Sequence, residues 1–390
     1  MFRYQEEMDN LIKQEIKDGQ IAGANVLVIH KGRAVYQNTF GHADKERGVP
    51  MAADSIFRIY SLTKPITAAA VMLLAERGKL DLWDPVSRYL PAYAGQTVWE
   101  PLGRTVRAKR DITVWDLLNM TSGIPYPDPA HEPGRRLDRL FRENIRRREA
   151  GEDVNTLEYL EGIARVPLMF EPGEKWMYGL SADLLGGVVE MAAGKKYGEF
   201  LQEELFGPLE MTDTGFFVPT AKKERFAVNY EWSEPEGWLK PFPGSHLGEY
   251  YGEDVAFESG GAGLVSTIED YSHFARMMLD KGEYSGRRIL GRKTVEFMAK
   301  DRLTPEQKQD YIWDSVRGFG YGCLMRVMAD PGIAGSIGSI GEFGWDGWAG
   351  TYVTIDPLEE MILLYFIQRC GAGFTPLARK LRMCAYASLK

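Results

Sequence analysis

The sequence is poor in the residues from which most metal and cofactor sites are built. Its 390 residues include three cysteines, Cys323, Cys370 and Cys384, and five histidines, His30, His42, His131, His246 and His273. Three irregularly spaced cysteines without a C-x-x-C pair make neither a disulfide framework nor a zinc site, so reduced, buried thiols are expected. The histidines show neither H-E-x-x-H nor another ligand spacing, which argues against a metal and against a Ser-His-Asp triad. Neither a phosphate-cradling loop nor a dinucleotide fingerprint occurs, and no cofactor is expected. The G-x-S-x-G elbow of many hydrolases is missing too, since Ala334 to Gly338 and Ile337 to Gly341 each lack the first glycine.

No apolar run is long enough to cross a bilayer, and the first sixteen residues carry charge where the apolar stretch of an export signal would lie. A cytoplasmic location without membrane contact is therefore expected. Positive charge is not in excess: 47 basic residues face 55 acidic ones, net −8. That balance gives no footprint for nucleic acid or an anionic membrane, and leaves a small neutral or modestly charged molecule as the expected partner. Internal repeats and low-complexity segments are absent.

What is present is apolar surface: 44% of residues are hydrophobic and 12% aromatic, enough for a substantial core. Met8, Leu11, Ile12 and Ile16 recur at helical spacing before Gly19, which predicts an opening amphipathic helix. Ala24 to Ile29 and Ala34 to Phe40 read as strands joined by a tight turn at His30-Lys31-Gly32-Arg33. From Leu62 to Glu76 the chain is apolar nearly all round, which predicts a buried helix stopped by Gly78. Helices are then expected at Val114 to Met120, Arg135 to Ala150, Thr156 to Ala164, Ala182 to Ala193 and Tyr197 to Leu205. Arg142 to Glu149 is read as a solvated helix face. Strands return at Gly350 to Asp356 and Met361 to Gln368, and a helix from Pro376 to Leu389 closes the chain.

Strands at both ends with helices between them predict an α+β fold. Residues 1–60 and 260–390 are expected to build an antiparallel sheet flanked by the terminal helices, with 61–259 as a mostly helical part and the active site at the seam.

Ser61-Leu62-Thr63-Lys64 carries the first chemistry. A serine at a helix start and a lysine three residues on share one helical face and can touch. A serine hydroxyl becomes nucleophilic when a neighbouring base takes its proton, and a lysine in a desolvated pocket can be that base. A capping serine with a solvated lysine explains most such patterns. Here, however, Lys64 heads an almost wholly apolar helix, where an unpaired ammonium is costly.

The segment Phe57-Arg58-Ile59-Tyr60-Ser61-Leu62-Thr63-Lys64-Pro65-Ile66-Thr67 resembles the nucleophile segment of class C β-lactamases and family VIII carboxylesterases. Gly78 to Leu82, Ile112 to Gly123, Phe170 to Gly173 and the glycine-rich Gly260 to Thr267 agree in order, so the resemblance covers nearly the whole chain. It implies a β-lactamase/transpeptidase-like fold and an acyl-serine mechanism without a cofactor. Trp176 to Gly186 is similar to the family's second motif and places Tyr178 beside Ser61 and Lys64 as a catalytic residue, its anion favoured by the lysine cation.

Leu180 stands where the lactamases carry an asparagine that holds substrate. Trp345-Asp346-Gly347 stands where they carry Lys-Thr-Gly on an edge strand, with Gly347 expected to let substrate lie close. The resemblance then implies an oxyanion hole from the N–H groups of Ser61 and Trp348. Tyr126, Leu180, Trp345, Asp346, Gly347 and Trp348 are the expected substrate-binding residues. The aromatic stretch from Phe226 to Phe257, with Tyr230, Trp232, Trp238, Phe242, Tyr250 and Tyr251, either walls the pocket or packs on itself.

Leu180 in place of the asparagine, the missing lactamase cation and the charge of Asp346 weigh towards a carboxylesterase on small esters. A β-lactamase, a D-amino-acid peptidase or amidase, and an acyltransferase are the alternatives within the enzyme class. A non-catalytic binding relative is disfavoured because serine, lysine and tyrosine are all retained.

Overall fold

A computed structural model describes all residues except 1, 101–102, 153, 235, 243–250, 254 and 373–374. His246 and Tyr250 therefore lie outside the described residues. The opening helix α1 spans Gln5–Lys17, with Met8 and Ile12 buried. Strands β1 (Gly23–His30) and β2 (Arg33–Asp44) follow, joined at Lys31 and Gly32, both at positive φ, and β3 (Val49–Pro50) completes the first edge. The buried helix α2 is Thr63–Glu76, and α3 (Ser181–Ala193) packs against it. Then come α4 (Ile268–Leu279), β4 (Phe319–Gly322), β5 (Met325–Met328), β6 (Phe343–Asp346), β7 (Tyr352–Asp356), β8 (Met361–Phe366) and α5 (Pro376–Ala387).

The eight strands form one antiparallel sheet in the order β4-β5-β6-β7-β8-β1-β2-β3. Its two halves come from opposite ends of the chain and meet where β1 pairs with β8, Asn25 opposite Phe366 and Val28 opposite Leu363. Both faces are covered. In β1 and β8 the apolar residues alternate: Ala24, Val26, Val28, Met361 and Leu363 share a core with Met8, Ile12, Leu377 and Leu381 of the terminal helices. Leu27, Ile29, Ile362, Leu364 and Phe366 turn the other way and join the main core with α2, α3 and Phe274 of α4. Each strand is apolar throughout because its period-2 side chains enter two separate cores. Among the described residues, no helix is long and apolar enough to cross a membrane.

Several sequence expectations need correction. Strands β4 and β5 were not expected. Within residues 61–259, expected to be mostly helical, unforeseen hairpins form at Thr97–Glu100 with Arg104–Arg107 and at Tyr230–Ser233 with Trp238–Pro241. The helix from Tyr197 ends at Leu201 and continues as a π turn over Gln202–Phe206. Trp345-Asp346 is not on an edge strand, because β6 is third in the sheet. Yet β5 pairs only with Phe343 and Gly344 of β6, so the next two residues run past the end of their neighbour. Of the three free cysteines, only Cys323 is fully buried.

A buried charge cluster ties α5 to the sheet. Glu342, wholly buried, accepts from Arg382 and Thr354, and Tyr386 Oη lies 2.6 Å from Glu342 and 2.7 Å from the carboxylate of Asp356. Removing one partner of such a pair leaves an uncompensated charge in the interior. Arg382→Met is accordingly expected to cost about 3–5 kcal/mol of stability, which a urea unfolding curve reports as a lowered midpoint.

Candidate active site

The chain enters the site through an unusual backbone. Tyr60 has φ +43°, a left-handed conformation that costs a non-glycine residue about 1–2 kcal/mol. Its surroundings hold it there: Asn229 Nδ2 donates to its hydroxyl at 3.1 Å and Trp348 packs edge-on at 5.4 Å. The turn leads into a 3-10 segment, Tyr60–Leu62, that presents Ser61 at the head of α2.

Lys64, one turn on, is wholly buried. Its Nζ lies 3.1 Å from Ser61 Oγ, 3.0 Å from Tyr126 Oη and 2.8 Å from the Gly261 carbonyl. As an ammonium it donates to all three. As a neutral amine it donates to two and turns a lone pair on the third. The carbonyl can only accept, so the lone pair of the neutral form falls to one of the hydroxyls.

Tyr178 comes from the loop before α3. It hydrogen-bonds Ser61, and Trp345 Nε1 donates to its hydroxyl oxygen at 3.0 Å. Burial pushes the phenol above its ordinary pKa, and the Ser61 and Trp345 contacts oppose that only in part. Lys64 Nζ sits over the ring face, 4.6 Å from its centroid. Against the expected lowering by the lysine, desolvation wins, and the phenol is held towards its protonated form. Tyr126 was expected only as a substrate contact, but its hydroxyl joins the Lys64 cluster and its ring leans on Tyr178 at 5.5 Å.

These groups open into a cavity of about 180 Å³ lined by Ser61, Asp346 and the aromatic rings of Tyr60, Tyr126, Tyr178, Trp313, Trp345 and Trp348. It is smaller than the roughly 300 Å³ at which pockets for drug-sized ligands begin. Of the aromatic stretch after Phe226, Phe242 reaches this region, packing on Trp348 at 5.6 Å. Phe226 and Tyr251 instead pack around the Arg58 guanidinium.

Two expected contacts are misplaced. Leu180 is fully buried in the main core as the residue preceding α3, so its side chain does not reach the cavity. Gly347 is small for a different reason: a Cβ there collides with Thr351 Oγ1 and with the backbone carbonyl of Ile59, two residues before Ser61. It lets the strand end lie against the nucleophile segment, not against substrate. Asp346 lines the cavity, but its carboxylate pairs with Arg326 at 3.3 Å, and Arg326 also donates to the Val353 carbonyl. Burial raises the Asp346 carboxyl, with Arg326 and then Lys64 opposing. That wall is an ion pair, not the lone negative charge expected.

Trp313 was missed. It sits at the cavity rim, half-exposed, edge-on to both Tyr178 (5.2 Å) and Trp176 (5.3 Å), on a stretch of isolated turns with no periodic signal to reveal it.

A family model described as Beta-lactamase matches residues 8–385. Protein Rv1367c of Mycobacterium tuberculosis is 35% identical over 370 residues, covering 92% of this chain and 88% of its own. Esterase EstB of Burkholderia gladioli is 31% identical over 398 residues, covering 97% and 94%. Among solved structures, EstCE1, described as a hydrolase with promiscuous acyltransferase activity, superposes with a TM-score of 0.81 at 26% identity over 98% of both chains. The simvastatin synthase LovD of Aspergillus terreus shares the fold, with a TM-score of 0.81 at 23% identity, covering 98% and 97%.

The Trp345–Tyr178 contact yields a direct test. Trp345→Phe keeps a ring but removes the donor, so the phenol becomes a weaker acid still. A roughly tenfold fall in kcat with little change in KM is expected for ester hydrolysis, measured by steady-state kinetics.

Proposed function

The chain belongs to the beta-lactamase family of serine hydrolases, and from that premise we propose that it is a carboxylesterase on small, uncharged esters, working through an acyl-Ser61 intermediate. The observation that carries this reading is the hydrogen-bonded set Ser61, Lys64, Tyr126 and Tyr178 opening into a small aromatic cavity.

In the proposed cycle Ser61 Oγ attacks the ester carbonyl carbon while its proton passes to the neutral amine of Lys64. The oxyanion rests on the N–H groups of Ser61 and Trp348, each such donor being worth about a hundredfold or more in rate. Collapse breaks the bond to the alcohol oxygen, which takes a proton from Tyr178, the group that burial keeps protonated. The proton on Lys64 returns the phenol to its starting form. Water then adds to the acyl-serine along the reverse proton route and releases the acid. The two proton carriers titrate as a coupled set.

Substrate choice follows from the wall. Asp346 paired with Arg326 offers no free cation to a lactam carboxylate, and the remaining surface is aromatic, which favours a neutral ester. Trp345 and Asp346 alone carry that preference, since Leu180 is out of reach. Acyl transfer is a second reading. It is favoured by the aromatic lining, which limits water at the acyl-enzyme, and by the acyltransferase side activity of EstCE1.

A short-chain p-nitrophenyl ester and a chromogenic cephalosporin, each with Ser61→Ala as the blank, test the proposal. Ester turnover lost in the variant, with little lactam turnover in the parent, is the expected result. Turnover unchanged in Ser61→Ala removes the mechanism, and a new ester formed from added alcohol supports the transferase reading.

A further inference from the structure

Asp183 is a buried charge that the mechanism above leaves unused. It lies in the first turn of α3, five residues after Tyr178, and is wholly inaccessible to solvent. Its Oδ1 accepts from Ser259 Oγ and, at 3.2 Å, from the Gly261 N–H. Its Oδ2 is buried and, among the described residues, has no hydrogen-bond partner. Leaving a carboxylate oxygen unsatisfied in the interior costs several kcal/mol unless a charge nearby compensates it.

The leading cation acting on Asp183 is Lys64, whose Nζ donates to the carbonyl of the same Gly261. One peptide segment therefore bridges the two charges, its N–H on the aspartate and its C=O on the lysine. The glycines of that segment permit the approach. A Cβ on Gly260 collides with the Ala182 carbonyl, and one on Gly261 sits 2.6 Å from Asp183 Oδ2.

We propose that Asp183 is the positioning residue and counter-ion of Lys64, holding the Gly261 carbonyl on the amine and setting the pH at which Lys64 gives up its proton. The proposal rests on the acyl-serine reading, which Ser61→Ala tests separately. The other titratable groups around Asp183 are the buried Tyr93 and Tyr197 and the half-buried Tyr178, phenols that its charge pushes further towards their protonated forms. Those around Lys64 are Tyr126, Tyr178 and Asp346, and Asp346 already has Arg326. Burial favours the protonated form of Asp183, and Lys64 is the first influence opposing it.

A carboxylate near Lys64 favours the ammonium, so removing its charge makes the amine easier to deprotonate. The acidic limb of kcat/KM, which rises as Lys64 loses its proton, should then move to lower pH in Asp183→Asn, by about one pH unit. A loss of packing alone lowers thermal stability and active fraction without moving that limb. An unmoved limb overturns the proposal, whether Asp183 is uncharged or merely structural.

If Asp183→Asn does not fold alone, Lys64→Met and the double variant Lys64→Met/Asp183→Asn decide the matter by melting temperature. A counter-ion pair predicts that the double variant is more stable than either single one, because no buried charge is left over. A double variant no more stable than the worse single one overturns it.

Discussion

A lysine wholly enclosed by protein is the constraint around which the site is arranged. An amine in that position needs acceptors whichever protonation state it holds, and the fold brings them from three separate parts of the chain. Ser61 belongs to its own helix, Tyr126 to a loop sixty-two residues away, and Gly261 to a glycine segment reached only after the helical region is complete. The requirement that stabilises Lys64 therefore also assembles the chemistry. Helix α2 can be apolar along its buried length because its one buried charge, Lys64, is met at its first turn.

The same economy governs the cavity wall. Asp346 and Arg326 satisfy each other, and Trp345 uses its one polar atom on Tyr178. What remains facing the substrate is mostly ring surface, which binds by shape and exclusion of water and has little hold on charge. Selectivity in such a site rests on volume and on where the alcohol can leave.

Much of this was legible in the sequence, and the limits have physical causes. Ser61, Lys64 and Tyr178 could be picked out because helical spacing and an ordered set of motifs point to them. The two hairpins make an instructive contrast. The turn at Lys31-Gly32 carries a glycine at positive φ and was readable. The turn joining β4 to β5 places Cys323 and Leu324 at φ +41° and +63°, residues that give no turn signal, and the strands around it went unread. Leu180 was misassigned because a motif position says which loop a residue occupies but not which way its side chain turns. Asp346 was misjudged because its partner, Arg326, lies twenty residues away on a strand that had not been recognised. Asp183 stood inside a quoted motif with no role, since its importance depends on a glycine segment that only the fold brings beside it.

The pairing of β1 with β8 sets Asn25 against Phe366 at the middle of the sheet. During synthesis the first hairpin, complete at Asp44, must wait for about 320 further residues before its inner edge is covered, which at ribosomal speeds is on the order of tens of seconds. Throughout that interval β1, apolar on both faces, hangs from the ribosome with an open edge. A release from the ribosome before residue 366 therefore leaves a fragment that cannot close its sheet.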